Sequence, residues 1–476
     1  MTLRPNPQAW WTLVAVCLGT FMLLLDVTIV IVALPDIQTS LGASFSEVQW
    51  TIDAYSLSLA VLLLPSGSLA DLFGRRRLFV TGLVVFTAGS LLCGLAQSPT
   101  MLIASRAGQG VGGAIMFATS LALLAQTFHG RDRGTAFGVW GAVTGVSVAL
   151  GPVLGGLLTT GLSWRWIFLV NLPVGIAAIA ITLRHVAEVR PQQARRLDPA
   201  GFAVFTVGLL SLVYGLIRAS EHGWTSGVVI GCFAVALVLL ASFPFVERVV
   251  RQPMFDLSLF RKPTFVGGLI AAFGMNGSLF AMFLFLVVYL QDVLHLSALQ
   301  TGLRLLVVTG ATLLAAIPAG RLSAHVPVRL LIGPGLLLVG AGLLLMRGID
   351  PTSEWTHLIP GFVVAGIGAG LVNPPLASTA IGVVRPQVAG MASGINSTFR
   401  QIGIATSVAA LGSILATREA GTTGPAHAAA FISGLDQLLL IAAFIAIVAG
   451  TLALLLIRQR DFATGAVEPV VEAIAA

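Results

Sequence analysis

Fourteen apolar runs divide this chain, and each is close to the length at which a helix crosses a lipid core. Such a helix needs about 20 mostly apolar residues, because the hydrocarbon layer is about 30 Å thick and a helix rises 1.5 Å per residue. The runs lie at about 10–34, 48–69, 77–97, 100–125, 134–158, 165–183, 200–217, 226–246, 264–290, 298–320, 328–346, 357–381, 391–416 and 432–457. Composition leaves no other setting for them. Of 476 residues, 57% are hydrophobic and 9% charged, with a mean hydropathy of +0.96, against about 25% charged in an ordinary soluble domain. We expect an all-α integral membrane protein, since a helix satisfies its own backbone in lipid. The first run is too long for a signal-peptide core and is interrupted by Asp26, so no cleavage is expected.

Basic residues orient the spans. An even number of crossings puts both termini on one side. That side collects 19 of the 26 Lys and Arg residues, among them Arg75, Arg76, Arg77, Arg261 and Lys262. The opposite side holds Arg165, Arg218, Arg347 and Arg418, and Arg106, Arg304 and Arg400 fall within spans. The rich side is expected to be the cytoplasm, with the chain in the cell's inner (cytoplasmic) membrane. The net charge of +7 is scattered in small groups, which argues against nucleic acid. Cys17, Cys93 and Cys232 lie apart inside apolar runs and read as buried thiols, not as a metal site. The tail, 461–476, is expected to be disordered.

A short basic loop carries more than a topology signal. "PSGSLADLFGRRRLFVTG" from Pro65 aligns without gaps to "PAGRLSAHVPVRLLIGPG" from Pro318, with six of 18 positions identical. "GVGGAI" from Gly110 echoes "GIGAGL" from Gly366. The offsets, 253 and 256 residues, are nearly the same. A duplicated six-helix unit with two extra helices between the copies explains both pairs. Parallel halves around a central path are a transporter architecture. The boundaries expected are 1–190 and 259–460 for the two bundles, 191–258 for the insertion and its linkers, and 461–476 for the tail.

The ordered motifs resemble those of the major facilitator superfamily, and more closely its fourteen-spanning drug:proton antiporters. "LLLDVTIVIVALP" (23–35), "GSLADLFGRRR" (67–77), "RAGQGVGGAI" (106–115), "GPVLGG" (151–156), "WRWIFLVNLPVG" (164–175) and "SGINSTFRQIG" (393–403) carry the likeness across nearly the whole chain. It implies the major facilitator fold, here two six-helix bundles plus two additional central helices, and export of lipophilic drugs in exchange for protons. No cofactor is implied beyond the proton gradient, and members generally work as monomers. The likeness also implies a coupling role for Arg106, a gating role for Gly67, Asp71, Gly74 and Arg75, and an antiporter-type fifth span. Two departures stand out. Ser147 replaces a usual glycine four residues before Gly151, and Ala324 stands in the second half where Asp71 stands in the first.

Ionisable groups inside spans are costly and mark function by default. Asp26 lies about 24 Å up a span that starts inside, and Arg106 about 9 Å down one that starts outside. Both reach the outer half at similar depth. A carboxylate beside an arginine stays ionised, and without that partner it binds a proton. Asp26 is therefore expected to be the protonation site, with Arg106 its modulator and Asp53 a further candidate. A static ion pair is the plainer alternative. Glycines at Gly145, Gly151, Gly155 and Gly156 with Pro152 predict a tight, bent fifth helix where the halves meet. In the ninth span, Asn276, Phe280 and Phe283 share one face and suit an adaptable pocket; a lipid-facing helix is the alternative. Arg400, with Asn396 four residues earlier, either holds an anionic group or stabilises the bundle. Acids are scarce in second-half spans, so monocations or neutral lipophiles are the expected cargo.

Other classes fit less well. A phosphate loop needs Gly-Lys-Ser/Thr, and the sole lysine, Lys262, stands in "LFRKPT". A retinal pump lacks its Schiff-base lysine for the same reason. G-x-S-x-G and H-E-x-x-H are absent, which argues against a membrane hydrolase. The paired halves argue against a channel. A proton-coupled exporter or importer of one metabolite, lipid- or siderophore-like, fits the same fold.

Overall fold

The computed structural model describes residues 7–462 apart from 129, 189–197, 250–256, 324, 351–352, 385–388, 420–421 and 423–424. Residues 463–476 of the expected tail, and Ala324, lie outside the described residues. Among those described, the chain is helical with no strand. The long helices are α1 Pro7–Leu41, α2 Phe45–Phe73, α3 Arg75–Gly94, α4 Pro99–Thr127, α5 Gly130–Gly161 and α6 Trp166–His185. Then come α7 Pro199–His222, α8 Gly227–Val249, α9 Pro263–Val293, α10 Ala298–Leu322, α11 Arg329–Leu345, α12 Ile359–Gly382, α13 Ala389–Glu419 and α14 Pro425–Leu456.

These follow the fourteen apolar runs in order, but the count of spans is smaller. Twelve are long and apolar enough to cross a membrane, and α5 makes thirteen if its two bent parts are one span. Helix α11 has 17 residues and falls short of the 18 that the others exceed. Of the fourteen expected spans, twelve or thirteen therefore meet the length and apolarity of a crossing helix. Helix α5 bends by 41° between Val148 and Leu150. Pro152 explains the place: it has no N–H for the carbonyl four residues back, which is that of Val148. The ninth span is not one regular helix either. It runs as α-helix to Met275, as π-helix over Asn276–Phe280 and again over Tyr289–Val293.

Local chemistry sets the helix starts. Ser44 and Glu47 form a reciprocal capping box at α2, and Ser297 and Gln300 form one at α10. Ser98 caps α4 and Asp198 caps α7. Each supplies an acceptor to a first-turn N–H that the helix itself leaves unpaired. The Ser44 N–H and hydroxyl also hold the Glu47 carboxyl below its usual range.

Packing separates two cores. One is built on α1–α4 with α5, around Phe79, Phe86, Met116 and Trp140. The other is built on α9–α14, around Met275, Met282, Leu336, Phe362 and Leu439. The halves meet along α5–α10 and α2–α13. These seams exchange under the repeat, which pairs α2 with α10 and α5 with α13. Two glycine contacts show this directly. A Cβ on Gly67 would strike the Gly390 carbonyl, and one on Gly320 would strike the Gly134 carbonyl. Gly67 to Gly320 is 253 residues and Gly134 to Gly390 is 256, the same offsets that the aligned motifs have.

Helices α7 and α8 stand outside the two cores. Leu209 and Val213 of α7 pack on Ala60 and Val61 of α2, with Ile402 of α13 beside them, so α7 covers the α2–α13 seam. Leu237 of α8 is 71% exposed. With Ile230, Val238 and Phe245 of α8 also exposed, this apolar face suits lipid and not water. At the end of the bundle opposite the α2–α3 turn, Arg347 pairs with Asp436 at 2.7 Å, with the two side chains 36% and 26% exposed. At that exposure, Arg347→Ala should cost about 0–1 kcal/mol in a denaturation experiment.

Candidate functional site

Asp26 and Arg106 meet, and both are buried. Helix α1 supplies the acid and α4 the base. Arg106 Nη1 donates to Asp26 Oδ2 and, at 2.7 Å, to Gln109 Oε1. Its Nε donates to the Thr51 carbonyl of α2 at 3.0 Å. The Tyr55 ring lies 4.1 Å from the guanidinium carbon, close enough for a cation–π contact. Asp26 Oδ1 accepts from Gln109 Nε2 at 2.8 Å and from Asn171 Nδ2 at 3.1 Å. Both amides also donate to Ser90 Oγ, at 2.6 and 3.0 Å.

Four helices of the first half, α1, α3, α4 and α6, therefore close one polar knot, tied to α2 through Thr51. In lipid an unpaired charge costs several kcal/mol, so a buried pair persists only when both members are fully bonded. Here the carboxylate receives three donors. Gln109 bridges the two charges, accepting from Arg106 and donating to Asp26. The hydrogen bonds just described do not include Asp53, which is half-buried two residues beyond Thr51. Gln109, Asn171, Ser90, Thr51 and Tyr55 were not singled out by sequence. Gln109 and Asn171 do stand inside two of the quoted motifs.

The loop motif forms a second cluster. Asp71 pairs with Arg75, Nη2 to Oδ1, at 2.9 Å. Arg75 also reaches the Ala122 carbonyl and Gln126 Oε1 of α4. The other duty of Asp71 lies across the molecule. Its carboxylate accepts the N–H of Gly390 at 3.1 Å and of Met391 at 2.9 Å. These are orphan donors in the first turn of α13, where the helix dipole also favours an anion. An acid from one half thus caps a helix of the other. Gly67, one turn earlier on α2, lets the backbones touch. Gly74 has φ +100° and joins α2 to α3, and a Cβ there would meet the Glu188 carboxylate. Arg76 donates to the Leu183 carbonyl, and Arg77 lies 3.8 Å from Glu188.

This geometry yields a contrast. Asp71→Asn removes charge-assisted bonds to two N–H groups and one guanidinium, each worth about 1.5–3 kcal/mol. Arg76→Gln or Arg77→Gln leaves the contact between α2 and α13 untouched. In denaturation in detergent Asp71→Asn should lose about 1.5–3 kcal/mol or more, while either arginine variant should stay near wild type.

The α5 glycines divide between two neighbours. Gly145 faces Thr312 of α10, across the halves, but Gly151 and Gly155 abut Thr28 and Ile29 of α1, within the first half. The expectation that this stripe seals the joint between halves is corrected for those two. They bring α5 against the residues that directly follow Asp26. Pro152 and Gly156 are buried beside them. Asn276 is buried, with its amide N–H turned back to the Ala272 carbonyl of its own helix. Phe280 and Phe283 lie 6.0 Å apart and pack on the second-half core, so they are partly buried and not a lipid-facing stripe. Arg304 lies 5.2 Å over the Trp355 ring at a helix end. Asn396 and Arg400 are buried on α13.

The Major Facilitator Superfamily model matches residues 16–408. The multidrug resistance protein Stp of Mycobacterium tuberculosis is 37% identical over 415 residues, covering 87% of this chain and 77% of that protein. The puromycin resistance protein pur8 of Streptomyces alboniger is 36% identical, covering 86% and 82%. The tetracenomycin C resistance and export protein of Streptomyces glaucescens is 33% identical, covering 87% and 77%. Among solved structures, the human organic anion transporter MFSD10 has a similar fold, with a TM-score of 0.69 at 16% identity over 94% of this chain and all of that one. With two six-helix halves, exchanged seams and this match, the chain belongs to the Major Facilitator Superfamily.

Proposed function

We propose that this protein exports antibiotic-like small molecules across the cytoplasmic membrane in exchange for protons. The named resistance and export proteins that resemble it over most of their length support the export reading. One observation carries the coupling: Asp26 is buried and its carboxylate is bonded by Arg106, Gln109 and Asn171, so a proton arriving there would disturb all three. Gly151 and Gly155 link the knot to α5, which reaches the other half at Gly145 and Gly134. Protonation of Asp26 would thereby bias the α5–α10 seam. Asp71 holds the cytoplasmic ends shut until the halves rock. The protein works as a monomer of two bundles, 1–190 and 259–460, with the insertion at 191–258. Both termini are cytoplasmic. It is a transporter and not an enzyme.

The test is resistance in a host stripped of its own efflux pumps. Expression should lower accumulation of several unrelated lipophilic antibiotics, and a protonophore should abolish the difference. Equal accumulation with and without the protein, across a broad panel, would contradict export.

A further inference from the structure

The second half carries its own buried cation, and among the described residues it pairs with no anion. Arg400 is 6% exposed, and its Nε and Nη2 are buried without a hydrogen-bond partner. Around it on α13, Ser393, Asn396 and Ser397 are fully buried. The hydroxyls of Ser393 and Ser397, and both amide atoms of Asn396, are likewise unpartnered. Positions 393, 396, 397 and 400 follow the i, i+3, i+4, i+7 pattern of one helix face. That face lies between the edge at Gly390 and Gly394, which abuts α2, and Gly403, which abuts Phe273 of α9. The α9 segment that follows, Asn276–Phe280, is a π-turn, a distortion that recurs at functional sites.

Ordinary packing does not account for this face. Elsewhere in the molecule Arg75, Arg106 and Arg347 each hold a carboxylate. Arg400 holds none among the described residues, and its neighbours do not turn toward each other although Asn396 is one turn away. Buried polar groups in lipid carry a large penalty unless bonded. Six orphan atoms on one face therefore point to a partner from outside the chain. The donor set defines its chemistry. A guanidinium fork, an amide and two hydroxyls, with no acid nearby, match an oxygen anion and repel a cation.

Resting on the export reading above, we propose that Ser393, Asn396, Ser397 and Arg400 form the subsite that receives an anionic oxygen, carboxylate or phenolate, of the exported molecule. Amphiphilic acids are then the favoured cargo, in place of the monocations or neutral lipophiles expected from sequence. The test is binding of 1-pyrenebutyrate and its neutral amide to the full chain in nanodiscs, read by fluorescence. Wild type should prefer the acid by about tenfold or more, the scale of one charge-assisted bond. With folding reported separately by an unchanged size-exclusion profile and melting temperature, Arg400→Gln should erase the preference. Arg400→Lys should keep part of it. Equal binding of acid and amide by wild type, binding of neither, or an unchanged ratio in Arg400→Gln would each overturn the proposal; a face that holds water alone gives the first. Binding does not require transport, so acid preference without export would count against the export reading and leave the subsite standing.

Discussion

Arg106→Gln should unfold the first half more readily than any other single change to its polar groups. The substitution strips Asp26 of its charged partner and leaves it only its amide donors, a loss of about 3–5 kcal/mol for a broken buried pair. The expected result in detergent denaturation is a drop of that size, with export lost. The double variant Asp26→Asn/Arg106→Gln removes both charges and should recover most of the stability. It should not recover export. If the double variant exports as well as wild type, the pair is a structural clasp and coupling lies elsewhere.

Gly67→Val should act on conformation and not on chemistry. No space exists for a side chain against the Gly390 carbonyl, and overpacking of this kind costs about 1–3 kcal/mol. That cost falls only on the state in which α2 and α13 touch, so the balance shifts by about tenfold to a hundredfold toward the separated state. Export should fall accordingly. A cysteine placed at Ser68, in a background without Cys17, Cys93 and Cys232, should label faster in the Gly67→Val protein. The repeat predicts the same from Gly320→Val, because its neighbour is the Gly134 carbonyl. Unchanged labelling and export would remove the gating role from this contact.

Much of the architecture was legible because membrane helices announce themselves by length and apolarity. The offsets of 253 and 256 residues pointed to a duplication, and they recur in the seam glycines, but which helices form the seams was not read from them. Asp26 and Arg106 could be matched by depth alone, since charges inside spans are few. Their partners could not. Gln109, Ser90 and Asn171 are neutral, and Asn171 lies 145 residues from Asp26. The target of Asp71 was hidden for a different reason: it is a pair of backbone N–H groups, which every residue but proline carries. The π-turns in α9 leave no mark in a pattern that is apolar on all sides. The split loyalty of the α5 glycines was missed because small residues specify close approach but not the neighbour approached.

The central claim is that Asp26 carries the proton, and one measurement reaches it most directly. Everted membrane vesicles are energised so that the lumen is acid, and lipophilic antibiotics are added to wild type and Asp26→Asn at equal protein content. The account predicts that substrates discharge the pH gradient through wild type and leave it intact with Asp26→Asn, as with the neutral double variant. Equal discharge by wild type and Asp26→Asn would contradict it and move the search to Asp53.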